Sequence, residues 1–92
     1  MIKSFKHKGL EKFFTKGITA GIQAKHMRRL ADQLAFLHAA RTIDDVDKPG
    51  YKLHELKGKL KGYWAITVSG NWRIVFKFEK GDAYVVNYED YH

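Results

Sequence analysis

The chain has 92 residues and a formal net charge of +7, so it forms one domain with one core. It contains no cysteine, which excludes disulfides and thiolate metal sites and indicates a reducing compartment. No apolar run is long enough for a signal peptide or a membrane span, so we expect a single cytoplasmic domain over residues 1–92 that does not associate with membranes. The basic excess is typical of proteins that bind a polyanion, most often nucleic acid.

The N-terminal half predicts a short strand followed by two helices. Residues 1–5 have the apolar pattern of a short strand. Leu10, Phe13 and Phe14 share one face of a short helix, which Gly17 is placed to end. A longer helix is predicted over residues 23–40. Its apolar stripe comprises Met27, Leu30, Ala31, Leu34 and His38, its polar side comprises Lys25, Arg28, Arg29 and Asp32, and the remaining histidines of this half, His7 and His26, are expected at the surface.

The C-terminal half predicts a run of strands. An acidic loop at 44–47 and a turn at 48–50 separate it from the helices. Strands are expected within residues 51–56, 63–68 and 72–78, and from 83 towards the end, with tight connections at 69–71 and 80–82. Helices followed by strands predict an α+β fold, in which two helices pack on one face of a mainly antiparallel sheet.

Alternation along these strands predicts which side chains leave the core. In the strand over 72–78, one face carries Trp72, Ile74, Phe76 and Phe78, and the other carries Arg73, Val75 and Lys77. If the last strand runs to the terminus, Asp90 and His92 lie side by side, with Tyr91 on the opposite side. We expect the sheet face away from the helices to display Arg73, Asp90, His92, His54 and a basic loop that contains Lys57, Lys59 and Lys61.

These groups match the requirements of RNA cleavage without a metal. The neighbouring 2′-hydroxyl attacks the phosphorus, which requires a base, cations for the phosphate and an acid for the departing oxygen. Histidine titrates near neutral pH, the arginine fork binds two phosphate oxygens, and tyrosine stacks on bases. Each residue also has a plain structural reading, as a strand-end histidine, a solvated lysine loop or an exposed strand arginine. The residues alone therefore leave the function open.

An ordered set of motifs runs through the whole chain. It comprises the start at residues 1–10, YKLHELKG at 51–58, YWAITV at 63–68, NWRI at 71–74 and the ending NYEDYH at 87–92. In this order the motifs resemble the HigB toxins of the RelE/ParE superfamily of bacterial toxin–antitoxin modules. The resemblance implies a RelE-like fold and a toxin that cuts mRNA in the ribosomal A site. The functional positions of that family match His54, Lys57, Arg73, Asp90, Tyr91 and His92.

The resemblance also implies partners. These are the 70S ribosome, mRNA, and a HigA-like antitoxin with a helix-turn-helix fold, through which alone the toxin would meet operator DNA. We expect no cofactor and no metal. Contacts with ribosomal RNA are expected from the lysines Lys3, Lys6, Lys8, Lys52, Lys59 and Lys61. Two alternatives stay open: a ParE-like inhibitor of DNA gyrase, and a basic RNA-binding protein without catalysis.

Overall fold

The fold is a four-stranded antiparallel sheet with two helices packed on one of its faces. A computed structural model gives this fold and describes residues 1–91. The helices α1 and α2 come first, and the sheet order β1-β2-β3-β4 follows the chain order. The bounds are Lys8–Lys16 for α1, Met27–Ala39 for α2, His54–Glu55 for β1, Tyr63–Ser69 for β2, Trp72–Glu79 for β3 and Asp82–Asp90 for β4. This confirms the predicted α+β class. None of the helices within residues 1–91 combines the length and apolarity that crossing a membrane requires.

The N-terminal segment lies beside β4, but it is not the continuous strand that was predicted. Ile2 and Phe5 form two isolated parallel bridges, to Ala83 and Val86. Between the two bridged residues of β4, Ala83 and Val86, the β3–β4 pairing shifts register, and Val85 has a left-handed φ of 47°. The Val85 amide donates to the Ser4 hydroxyl at 2.8 Å instead of to a backbone carbonyl. The bulge therefore interrupts the backbone ladder between this segment and β4.

The helices bury a leucine-rich stripe against the sheet. Leu10 of α1 and Leu30, Leu34 and Leu37 of α2 are fully buried, in one cluster with Ile66, Ile74, Phe76, Val86 and Tyr88 of the sheet. Gly17 ends α1 with a φ of 70°, as predicted. The stripe predicted for α2 is correct at its leucines, whereas Ala31 and His38 are exposed.

Three side chains differ from the prediction because tertiary contacts recruit them. Arg29 was placed on the polar side, but it is half-buried and its Nη2 donates to the carbonyls of Gly50 at 2.9 Å and Thr67 at 3.3 Å. His26 was placed at the surface, but it is buried in the 3₁₀ turn that precedes α2. His7 is the N-cap of α1, because its Nδ1 accepts a hydrogen bond of 2.9 Å from the Leu10 amide.

The strand register defines two faces of the sheet. On the helix face, Ile66 pairs with Ile74 and Ile74 with Tyr88. On the opposite side, here called the far face, the residues form two rows across the strands. The first row is His54, Ala65, Val75 and Asn87, and the second is Thr67, Arg73 and Glu89. The predicted alternation in β3 is confirmed, and it directs Arg73 away from the helices.

Candidate active site

Arg73 lies in the second row of the far face, between an anion and an aromatic ring. Its Nη2 is 3.8 Å from Oε2 of Glu89, and its guanidinium carbon is 4.0 Å from the centroid of the Tyr91 ring. Only 13% of the Arg73 side chain is exposed, and its buried Nε has no hydrogen-bond partner among the described residues. The backbone amide of Tyr91 donates to the Asn71 carbonyl at 2.7 Å, which fixes the ring over the guanidinium. The charge is therefore held in place while its hydrogen-bonding capacity is only partly used.

His54 lies in the first row of the far face, exposed to solvent on the edge strand β1. Its Nδ1 is 2.9 Å from the carbonyl oxygen of Lys52, a residue with a left-handed φ of 52°. Since a carbonyl oxygen only accepts, Nδ1 carries the hydrogen, and in the neutral ring Nε2 then has a free lone pair. The register separates His54 from Arg73 by two strands and two residues, or roughly 10 Å across the sheet and about 7 Å along it.

Asp90 does not share the far face with Arg73 and His54, contrary to the expectation. It pairs with Trp72, whereas Arg73 pairs with Glu89. Backbone alternation therefore places Asp90 on the helix side, at the exposed end of β4, and Glu89 beside Arg73. The strand ends at Asp90. The expected neighbour of Asp90, His92, lies outside the described residues.

The lysines of the predicted basic loop surround a 3₁₀ turn over Gly58–Leu60 that joins β1 to β2. Lys57, Lys59 and Lys61 are all exposed there, and so are the other lysines expected to contact RNA, Lys3, Lys6, Lys8 and Lys52. Leu60 of the same turn lies over the far face. The loop thus brings positive charge to the rim of the face that carries Arg73.

A cleft of about 470 Å³ opens on the far face beside Arg73. Its floor is Val75, which is only 4% exposed. The surrounding residues are Lys6, Leu60, Tyr63, Val85, Asn87 and Glu89. Within residues 1–91, no three histidine, aspartate or glutamate side chains are grouped closely enough to hold a metal ion.

A buried polar cluster supports this region from the helix side, and the sequence reading missed it. Nδ1 of His26 is 2.6 Å from the Tyr88 hydroxyl, and the Trp72 and Tyr88 rings stack with centroids 4.6 Å apart. Burial, and then the charge of Lys25, lower the pKa of His26, while burial raises the pKa of Tyr88. Trp72 directly precedes Arg73 in β3, and Tyr88 directly precedes Glu89 in β4. The cluster therefore fixes the two strands that carry Arg73 and Glu89. A signal was present, because His26 precedes Leu30 by four residues and so extends the buried stripe of α2.

The arrangement of two helices on a four-stranded sheet is shared with solved structures, and it defines the class of protein. YafQ from E. coli has a TM-score of 0.57 at 14% identity, covering 98% of this chain and 93% of its own. A copper-bound mutant toxin from Helicobacter pylori has a TM-score of 0.53 at 18% identity, with 98% and 94% covered. The fold is that of the RelE-like toxins.

Sequence comparison identifies the family within this class. The model of the HigB-like toxins, described as the RelE-like toxin of type II toxin–antitoxin system HigB, matches residues 3–92. Endoribonuclease HigB of Proteus vulgaris is 54% identical over 92 residues, which is the whole of both chains. The chain belongs to the HigB-like toxin family, as the motifs at residues 1–10 and within residues 51–92 predicted.

Proposed function

We propose that the chain is a ribosome-dependent endoribonuclease that cuts mRNA in the A site and so inhibits translation. The observation that carries the proposal is the far face, where Arg73 lies between Glu89 and Tyr91 and His54 occupies the neighbouring row. A positioned cation and a histidine on one face are groups that metal-free cleavage of RNA requires. The name of the Proteus vulgaris relative, Endoribonuclease HigB, supports the same activity.

The proposed reaction transfers two protons. The 2′-hydroxyl oxygen attacks the adjacent phosphorus, the bond from phosphorus to the 5′-oxygen breaks, and the products are a 2′,3′-cyclic phosphate and a 5′-hydroxyl. His54 takes the proton of the 2′-hydroxyl at Nε2, because the Lys52 carbonyl favours the tautomer with the hydrogen on Nδ1. We assign the acid that protonates the 5′-oxygen to His92, on the resemblance of the NYEDYH ending to the HigB motif. Asp90, which lies on the helix side, is given no part in this proton transfer.

Arg73 and Lys57 stabilise the charge that develops on the phosphate in this proposal. The Arg73–Glu89 separation of 3.8 Å is longer than a hydrogen bond. Two phosphate oxygens can therefore accept hydrogen bonds from the guanidinium without displacing a strong contact. Tyr91, which is 55% exposed, holds the guanidinium from above and offers its outer surface to a base.

The partners follow from the family and from the charge of the surface. A type II toxin acts with an antitoxin, so membership of the family implies a protein partner. We propose a HigA-like antitoxin with a helix-turn-helix fold, through which alone the toxin reaches operator DNA. Its proposed contact is the exposed Phe36 of α2, which lies on the helix side and leaves the far face open. The exposed lysines of the N-terminus and the basic loop contact ribosomal RNA.

Mapping of RNA ends on programmed ribosomes tests the function. The purified protein is incubated with mRNA on ribosomes, with the same mRNA alone, and with DNA gyrase acting on plasmid DNA. We expect cuts inside A-site codons, with 2′,3′-cyclic phosphate ends, only when ribosomes are present. Intact mRNA together with inhibited gyrase would favour the ParE-like alternative, and binding to ribosomes without cuts would favour a non-catalytic RNA-binding protein.

A further inference from the structure

The cleft on the far face has no part in the reaction described above, yet it shares a residue with the Arg73 site. Glu89 both lines the cleft and lies 3.8 Å from Arg73. The volume of about 470 Å³ lies within the range of small-molecule sites, about 300–1,000 Å³. A group bound in the cleft would therefore be the immediate neighbour of a phosphate bound at Arg73.

One wall of the cleft is built from strained backbone. Val85 has a φ of 47°, a left-handed conformation that is unfavourable for a β-branched residue. The bulge at Val85 places its side chain in the cleft, while the next residue, Val86, is fully buried in the core. The Val85 amide donates a hydrogen bond of 2.8 Å to the Ser4 hydroxyl, and this bond maintains the conformation. Strain that the surrounding structure maintains is concentrated at ligand-binding sites.

The composition of the cleft favours a flat group with polar edges, because the lining combines apolar and aromatic side chains with one cation, Lys6, and one carboxylate, Glu89. Val75 and Val85 are apolar, and Tyr63 provides an aromatic ring on which a base can stack. Asn87 and Glu89 supply an amide and a carboxylate at the end nearest Arg73. The carboxylate repels a second phosphate, whereas it accepts a hydrogen bond from an amino group.

We propose that this cleft binds one unpaired nucleobase of the RNA substrate, and that it selects a base with an exocyclic amino group. The base stacks on Tyr63 and directs its amino edge to Asn87 and Glu89, while the adjoining phosphate lies at Arg73. This inference rests on the proposed function, and it adds a residue set that selects the sequence at the cut. Cytosine and uracil are the matched pair for a test, because the amino group of one replaces a carbonyl oxygen of the other.

The first experiment uses the unaltered protein. Backbone amide signals are followed by NMR during titration with cytidine 5′-monophosphate, uridine 5′-monophosphate or ribose 5-phosphate. We expect cytidine monophosphate to shift Val75, Val85 and Asn87 more than uridine monophosphate does, and ribose 5-phosphate to act only around Arg73. The proposal would be overturned if the three compounds shifted the same amide signals equally and none of those signals belonged to the residues of the cleft.

The second experiment measures selection during cleavage. On ribosomes programmed with codons that differ only by cytosine or uracil, the parent should favour cytosine at one codon position by about 5- to 150-fold. Asn87→Leu, which keeps the size of the side chain, should reduce that ratio. Thr67→Val, on the same face but outside the cleft lining, should preserve it. Tyr63→Phe should keep the parental ratio and Tyr63→Ala should lower it, which provides a second test if Asn87→Leu does not fold.

The two proposals fail in different ways. If the parent cuts ribosome-bound mRNA but Asn87→Leu and Tyr63→Ala keep the parental ratio, the cleft assignment is wrong and the nuclease proposal stands. If the parent does not cut mRNA while cytidine monophosphate still shifts the cleft residues selectively, the nuclease proposal is wrong and the base-binding cleft stands.

Discussion

The guanidinium carbon of Arg73 lies 4.0 Å from the centroid of the Tyr91 ring, and this contact joins the middle of the sheet to the end of the chain. The Tyr91 amide bonds the Asn71 carbonyl in the β2–β3 connection, so the ring position depends on the same hairpin that carries Arg73. The contact covers one side of the guanidinium. Glu89 lies at its edge, where a phosphate would bind in the proposed reaction.

Tyr91→Ala should therefore weaken catalysis more than Tyr91→Phe. A cation–π contact is worth about 0.5–2 kcal/mol, so its loss predicts a decrease in cleavage rate of about 2- to 30-fold. Tyr91→Phe keeps the ring and should remain close to the parental rate. Single-turnover cleavage on saturated ribosomes measures both variants. Equal losses in both would show that the hydroxyl, and not the ring over Arg73, is what the reaction uses.

A second prediction concerns His54 as the base. His54→Gln should lower single-turnover cleavage by ~10²–10⁴-fold, because the side chain can still bond the Lys52 carbonyl but cannot take a proton. His38→Gln, at an exposed histidine of α2, is the matched control and should keep the parental rate. A parental rate for His54→Gln would remove His54 from the mechanism.

The sequence predicted the fold more completely than the site, for physical reasons. Apolar periodicity located both helices and strands β2 to β4, because burial dominates those patterns. The face of Arg73 followed from alternation in β3. Asp90 was misplaced because its face depends on the β3–β4 register, and the bulge at Val85 that affects this pairing leaves no signature in the local sequence.

The histidines show a related difficulty. His26 and His54 both have basic residues close by in the sequence, yet His26 is buried and His54 is exposed. Burial of His26 depends on the Tyr88 hydroxyl, which is 62 residues away in the chain. Such a long-range polar pair is set by tertiary packing, which local patterns do not encode.

The third prediction is that protonation of His26 destabilises the fold. Its pKa is lowered from 6.5 in the folded chain, mainly by burial, so the unfolded state binds the proton more readily. The stability contribution is therefore complete above about pH 6.5 and is lost as pH falls through the lowered pKa. Urea unfolding at pH 7.5 and at pH 5.0 measures this effect. Asp45 does not contribute between these two pH values, because its pKa is lowered from the ordinary 3.8 by backbone hydrogen bonds and the carboxylate stays ionised. His26→Gln should show a smaller loss of unfolding free energy between the two pH values, and an unchanged loss would contradict the assignment.

The fourth prediction concerns the basic rim. Ribosome binding should weaken steeply with salt, because each phosphate contact releases counterions. Lys59→Ala combined with Lys61→Ala should reduce the slope of log affinity against log salt by about 1.4 to 1.8. The matched control is Lys25→Ala with Arg28→Ala, which removes the same charge from exposed positions on the helix side and should change the slope less. Identical slopes for the two pairs would mean that the loop does not contact ribosomal phosphates.

The most direct test of the far face as the site of RNA cleavage compares two arginines that lie on opposite sides of the molecule. Single-turnover cleavage on saturated ribosomes is measured for Arg73→Ala and for Arg28→Ala, an exposed residue of α2, with thermal unfolding followed in parallel. We predict a loss of ~10²–10³-fold for Arg73→Ala through lost stabilisation of the phosphate charge, with the fold intact and with Arg28→Ala near the parental rate. A folded Arg73→Ala protein that cuts mRNA as fast as the parent would contradict the account.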